Sequence, residues 1–343
     1  MKARLPRAAR EVLERGTLCH LAVRTSGGPH LTPVVFALDG GRIWLTTSRT
    51  SAKARALRHE PEVAGMVRLG AKAVSFRGRA RTYDALDPLS WPSAAVAGPR
   101  LVRAATRFSL KNARFFAGYA VDARRVPLAW TPPGRVFVGI ELDSGALLDL
   151  AEGTAADVWG DWATGSGRIE YRASFANLGA RRGLDVRVPP SIRSLVGTGG
   201  DGALALGHEG ATVVPVRWRR MAREGTYDAV FPQPFLELVE PATLGSRRQP
   251  RRRAALTVDR LAAWRAAEMT GLLLQGDEEV FSPSRVRRGS EALSKRIEAA
   301  RMAPGSSGGE GLAWKASDLA LVRLRPIRVV WWQGWSTGSV SLP

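Results

Sequence analysis

"GPHLTPVVFALDGGRIWLTTSRTSAKARAL", residues 28–57, decides the fold. Its first half is rich in β-branched and apolar residues with polar ones interleaved, the pattern of a half-buried strand. Asp39-Gly40-Gly41 is a hairpin signal, and "RIWLTT" (42–47) returns as the next strand. With "LCHLAV" (18–23) upstream, residues 20–47 read as strand, loop, strand, tight turn and strand, a meander that closes into a barrel or packs as a sandwich. After Thr47 the period changes. Ser48 or Thr50 can cap a helix from about Ser51 to His59, and Pro61 stops it.

Five hydroxyl side chains stand between Thr46 and Ser51, with Lys53 in the first turn of that helix. A helix N-terminus offers unpaired N–H groups and the positive end of its dipole, which suits a phosphate. Thr46, Thr47, Ser48 and Ser51 add neutral donors, and Lys53 and Arg49 add cations. The same residues also serve as plain helix caps and a solvated lysine, so the local pattern leaves both readings open.

The chain repeats this plan. "GPHLTPVVF" (28–36) and "GATVVPVRW" (210–218) share Gly, Pro and Val at identical spacing. "LCHLAV" matches "ALALGH" (203–208), "RIWLTT" matches "TYDAVF" (226–231), and "AVSFRG" (73–78) matches "GLLLQG" (271–276). Short helical segments precede each copy, and "RVFVGIELD" (135–143) and "LALVRLRPIRVVWW" (319–332) close them. Order preserved over five elements marks a duplication. The expected organisation is a barrel over 1–150, a connector over 151–185 and a second, degenerate barrel over 186–343. At the place matching the phosphate cradle, the second copy has "VFPQPFLELVEP", with no serine, threonine or lysine. One copy is equipped for a phosphate and the other is not. Other helices are expected near 101–118 and 258–268, and a turn at "GDEEVF" (276–281).

Composition sets the bounds. The 343 residues suffice for two domains. One cysteine, Cys19, excludes an intramolecular disulfide and a cysteine-based metal cluster. No histidine pair has metal-ligand spacing on one helix, and of the four histidines His30 is the one to test. Lys+Arg 51 against Asp+Glu 31 gives a net charge of +20, mostly arginine, as GC-rich coding also produces. The cluster "SRRQPRRR" (246–253) reads as a solvated loop first and a nucleic-acid contact second. "GTGGDG" (197–202) leads into a strand rather than a helix and so lacks the dinucleotide-binding context. The basic N-terminus lacks a secretory apolar stretch, and no charge-free segment approaches the roughly 18 residues of a membrane span. A cytoplasmic protein is expected, with no membrane partner.

In order and spacing, residues 10–84 resemble the FMN-binding split barrels, similar to pyridoxamine 5′-phosphate oxidase: "CHLAV", Gly-x-Pro before "HLTPVVF", the "DGGRIWLTT" hairpin, "SAKARAL" and "AVSFRGRARTYD". The resemblance implies a mainly β fold with flanking helices. With the duplication, it implies two tandem split barrels forming an intramolecular pseudo-dimer, with one cofactor between them. It places Leu31, Thr32, Pro33 and Val34 along the isoalloxazine ring, Thr46 and Thr47 at the phosphate and ribityl chain, Ser51 and Lys53 at the phosphate, and Lys72 near the cofactor. Trp332 and Trp335, clustered with Trp331, could stack on a ring or line a substrate pocket, or simply pair the barrels. Ala52 and Ala73 stand where the oxidase has an arginine and a glutamine, which argues against pyridoxamine-phosphate oxidation though not against flavin binding.

The function expected is a flavin-dependent oxidoreductase acting on a small organic substrate. Alternatives are a deazaflavin-dependent reductase of the same fold, whose anionic coenzyme suits the arginine excess, and a non-catalytic flavin or heme carrier. Pairing of two such chains into a further homodimer stays open.

Overall fold

The computed structural model describes residues 4–87, 91–121, 124, 134–160, 162, 172, 174–179, 188–197, 199–206, 212–238, 253–260, 266–304 and 314–342. The first half runs α1 (Arg7–Arg15), β1 (Leu18–Thr25), β2 (Gly28–Asp39), β3 (Arg42–Ser48), α2 (Ala52–His59), β4 (Glu62–Leu69), β5 (Lys72–Tyr83), α3 (Trp91–Lys111), α4 (Ala113–Val121), β6 (Arg135–Asp149) and β7 (Thr154–Trp159). The second runs α5 (Pro190–Leu195), β8 (Gly199–Leu206), β9 (Thr212–Met221), β10 (Thr226–Pro232), a 3-10 turn (Gln233–Leu238), β11 (Arg253–Arg260), β12 (Thr270–Phe281), α6 (Ser290–Arg301), β13 (Leu319–Gln333) and β14 (Ser336–Ser341).

Strand order is β3-β2-β1-β4-β5-β6-β7 in one sheet and β10-β9-β8-β11-β12-β13-β14 in the other. Pairing of β3 with β6, and of β10 with β13, closes each into a six-stranded antiparallel barrel with one strand appended. Closure removes the open edges that a flat sheet would expose to other chains. The fold is therefore two tandem split barrels, as the duplication implied. The copies agree even in their irregularities. β5 slips register between Arg77 and Gly78, and β12 slips between Gln275 and Gly276. A Cβ at Gly78 would collide with the Glu141 carbonyl, and one at Gly276 with the Arg325 carbonyl. Glycine is what lets the bulged strand come that close to its neighbour.

Alternation on β1 and β2 divides the work between the faces. Cys19, Leu21, Val23, Val34 and Phe36 fill the first barrel. Ala22 and Leu31 point the other way, into a core shared with Leu204, Val213, Leu256 and Leu273 of the second barrel. The two barrels are thus packed through a common apolar layer, and the alternation of a strand is what permits one chain segment to serve both cores. Outside the second barrel, α6 covers β10 with Leu293 and Ile297. Beneath it Arg296 bonds Asp228 at 2.5 Å and Glu224 at 2.7 Å, a buried charged set.

Several expectations are corrected. Residues 258–260 belong to strand β11, and 266–268 form one 3-10 turn, not a helix. "ALTVDR" alternates, and the pairing Val258–Leu272 and Asp259–Gly271 fixes it as a ladder. The acids of "GDEEVF" lie in β12, where Glu279 faces Arg323 across the ladder, so opposite charge supports a strand at the site of the expected turn. The helix expected near 101–118 begins at Trp91 and is broken at Asn112, whose side-chain amide donates to the Phe108 and Phe36 carbonyls. Strand β7 lies within 151–185 and pairs with β6, while the Arg172 and Phe175 amides bond Val280 and Arg288 of the second half. No helix among the described residues is long and apolar enough to cross a membrane.

Candidate functional site

The turn from β3 into α2 is built by its hydroxyls. Ser51 is the N-cap, in extended conformation, and its Oγ accepts from the Ala54 amide at 3.0 Å. Thr47 Oγ1 lies 3.0 Å from Ser51 Oγ. Two hydroxyls sharing one hydrogen bond use one of their two protons on each other, so the pair retains one to donate elsewhere. Ser48 and Thr50 contact each other at 3.2 Å, further out. Arg49 is drawn to Asp84 in an ion pair and is thereby committed away from the helix end.

Lys53 follows in the first turn and is only 6% exposed. Among the described residues it makes no hydrogen bond or ion pair. Burial pushes its pKa down to about 7, an effect the neighbouring Cys19 opposes and Arg135 reinforces. A buried ammonium without a counter-charge is costly. Arg135, at the start of β6, donates from Nε to Thr46 Oγ1 at 2.9 Å and from a terminal nitrogen to the Thr46 carbonyl at 3.0 Å. Thr46 is therefore held by a second cation close to the first.

Strand β2 passes beside this group. His30, Thr32 and Val34 share one face, and Leu31 and Pro33 the other. Burial lowers the His30 pKa to about 4, with Lys53 and then Arg328 adding to the effect, so its imidazole is neutral. Thr32 Oγ1 is buried without a hydrogen-bond partner. On the other face the Leu31 carbonyl accepts from Thr257 Oγ1 at 2.7 Å, and the Pro29 carbonyl from Gln275 Nε2 at 2.7 Å. The backbone expected to lie along a ring is in part held by the second barrel.

Of the residues singled out by sequence, Thr46, Thr47, Ser51 and Lys53 come together, and electrostatics join His30 to them. Leu31, Thr32, Pro33 and Val34 run alongside on β2. Lys72 stands apart, exposed at the β4–β5 turn. Trp332 lies across Gly271, with its indole nitrogen buried and without a partner, and Trp331 lies across Gly338. Both flank the core shared by the barrels, and Trp335 is partly buried at the following turn. Sequence reasoning missed Arg135 and Arg328, because each reaches the group only through barrel closure or through the second barrel.

The duplication supplies an internal control. Arg77 and Gln275 occupy the same place before their bulges, and opposite them stand Ser144 and Arg328. Where Gln275 reaches Pro29, Arg77 instead donates to Thr212 Oγ1 at 2.7 Å and lies 4.5 Å over the Trp162 ring. Thr212 is the counterpart of His30 in the repeat. This second seam is closed by Arg77, Thr212 and Trp162, whereas His30 in the first feels Lys53 and Arg328.

Residues 246–252 and His208 lie outside the described residues. Arg253 opens β11, pairs with Asp277 at 3.3 Å and donates to the Gly27 carbonyl at 3.4 Å, so it serves the seam between barrels. Among the described residues no cluster of three or more His, Cys, Asp or Glu could hold a metal ion.

Residues 6–108 match the family model of pyridoxamine 5′-phosphate oxidase. No curated protein matches the chain. Among solved structures, a pyridoxamine 5′-phosphate oxidase-related, FMN-binding protein from Nostoc punctiforme is 18% identical, with 42% of this chain and 83% of that one covered and a TM-score of 0.32. A conserved hypothetical protein from Mycobacterium tuberculosis is 24% identical over 43% of this chain and 87% of its own, with a TM-score of 0.31. An FAD-binding protein from Mesorhizobium loti is 19% identical over 43% and 97%, with a TM-score of 0.29. The family match covers β1 to β5 of the first barrel, and the second barrel repeats the first one's strand order.

Proposed function

We propose that the chain binds one flavin-type nucleotide, FMN, in the seam between its barrels and serves as an oxidoreductase for a small organic substrate. The observation that carries this reading is Lys53: a buried amine with no acidic partner, at the mouth of a hydroxyl-capped helix, in one copy of the repeat and not in the other. An oxyanion there would supply the missing counter-charge. The Thr47–Ser51 pair, which keeps one proton to donate, and the unpartnered Thr32 hydroxyl add neutral donors of the kind a phosphate accepts. These residues fit a phosphate monoester, so the group would be held by Lys53, Thr47 and Ser51, with Thr46 positioned by Arg135.

When bound, such a ring supplies the hydride and electron steps. The protein's own part is to hold the phosphate, to keep water from the seam through the shared apolar core, and to present β2 alongside. A deazaflavin coenzyme is the second reading, favoured by the surplus of cations over carboxylates around Lys53.

The test is the absorbance spectrum and mass of whatever small molecule co-purifies with the chain, followed by titration with FMN and with riboflavin. FMN bound in preference to riboflavin, at one per chain, supports the reading. A colourless protein that takes up neither, with Lys53→Met indistinguishable from the parent, overturns it in favour of a non-flavin role.

A further inference from the structure

Arg328 enters the site from the far side. In β13 it stands directly opposite Gln275 of β12. Directly opposed residues of an antiparallel pair project to the same face. The Gln275 side chain crosses the seam to the Pro29 carbonyl at 2.7 Å, so Arg328 projects on the face turned to the first barrel, near enough to act on His30. Its guanidinium makes a long hydrogen bond, 3.5 Å to Ser339 Oγ, and the residue is exposed. His30 feels both Lys53 and Arg328. The neutral imidazole therefore feels one cation from each barrel.

The repeat differs at these places. In the other seam the position of Arg328 is Ser144, that of His30 is Thr212, and nothing replaces Lys53 in the 3-10 turn Gln233–Leu238. That seam has its own arginine, Arg77, but its guanidinium donates to Thr212 Oγ1 at 2.7 Å and lies over the Trp162 ring, whereas among the described residues Arg328 has only its long bond to Ser339.

We infer that Arg328 is a specificity-determining residue of this site: from the second barrel it holds the same ligand anion that Lys53 holds from the first, so that the bound anion bridges the barrels. This rests on the phosphate-binding reading above and deepens it. A guanidinium reaching over the seam requires a dianionic or larger head group to satisfy it together with Lys53, which excludes riboflavin-like ligands without a phosphate.

The experiment titrates the full chain and its Lys53→Met, Arg328→Gln and Arg328→Lys variants with FMN, riboflavin and inorganic phosphate, with thermal unfolding as the check on folding. Expected is a loss of FMN affinity of about tenfold in Arg328→Gln, the size of one charge-assisted hydrogen bond, with riboflavin unchanged and Arg328→Lys partly restored. Inorganic phosphate should raise the melting temperature of the parent more than that of Arg328→Gln. If Lys53→Met loses FMN and Arg328→Gln does not, the inference fails while the phosphate site stands. If Arg328→Gln weakens FMN and riboflavin equally, the residue shapes the seam and reads no anion, and the inference again fails. If neither variant changes FMN binding, the phosphate reading itself is wrong and takes the inference with it.

Discussion

The Ser75 hydroxyl donates to the Val213 carbonyl at 2.7 Å, across the boundary between the barrels. Its mirror image is the bond from Thr257 to the Leu31 carbonyl, also 2.7 Å, made from the neighbouring strand. Ser75 and Thr257 are fully buried. The two copies have kept the same acceptor position on β2 and β9 while changing which strand supplies the donor.

Thr257→Val keeps the shape and leaves the Leu31 carbonyl without that donor. A buried acceptor deprived of its partner costs about 1–3 kcal/mol. Urea unfolding should show a loss of that size, and Ser75→Ala a similar one. A double variant losing no more than either single one would mean the two seams do not act independently.

Stability should rise with pH where Lys53 titrates. The unfolded lysine keeps its proton to 10.5, whereas in the folded chain burial brings release down to about 7. Between those values the unfolded state binds more protons, so unfolding free energy increases as pH climbs from about 7 toward 10. Lys53→Met should flatten this slope. Saturating phosphate should flatten it too, by stabilising the ammonium.

On the acid side His30 sets the sign. Its pKa falls from 6.5 to about 4 on folding, so the unfolded state takes up the proton first as pH drops. Stability is then lost between pH 6.5 and 4. His30→Gln should remove that part of the acid sensitivity, read as the midpoint of urea unfolding at several pH values. An unchanged profile would place the histidine in water.

Arg296 is buried between Glu224 and Asp228. Burial pushes the Asp228 carboxyl upward, and Arg296 works against that push. Arg296→Ala strips both acids of their partner and should destabilise the second barrel by about 3–5 kcal/mol, as removal of one member of a buried pair does. Restoring packing with Arg296→Met, Glu224→Gln and Asp228→Asn together should recover much of the loss.

Much of the first barrel was legible because its signals are local. The alternation in 28–36, the Asp-Gly-Gly turn and the hydroxyl cap each act within a few residues, and the repeat confirmed their order. Residues 258–260 were misread as helix because a short apolar run carries no decisive period, and the β12 ladder settled it. Helix α6 went unread because "SEALSKRIEAAR" lacks a strong cap, and its stability comes from Leu293, Ile297 and Arg296 docking on the second barrel.

The sequence by itself determined the two-copy plan, the hydroxyls at the start of α2 and the loss of lysine from the second copy, since strand period, turn chemistry and capping are properties of neighbouring residues. Tertiary structure alone decided that Lys53 would be buried without an acid, that Arg135 would reach Thr46 and that Arg328 would come near enough to act on His30. Those facts depend on how β3 closes on β6 and on how the barrels meet, and the register of such distant pairings is set by packing that no local stretch encodes.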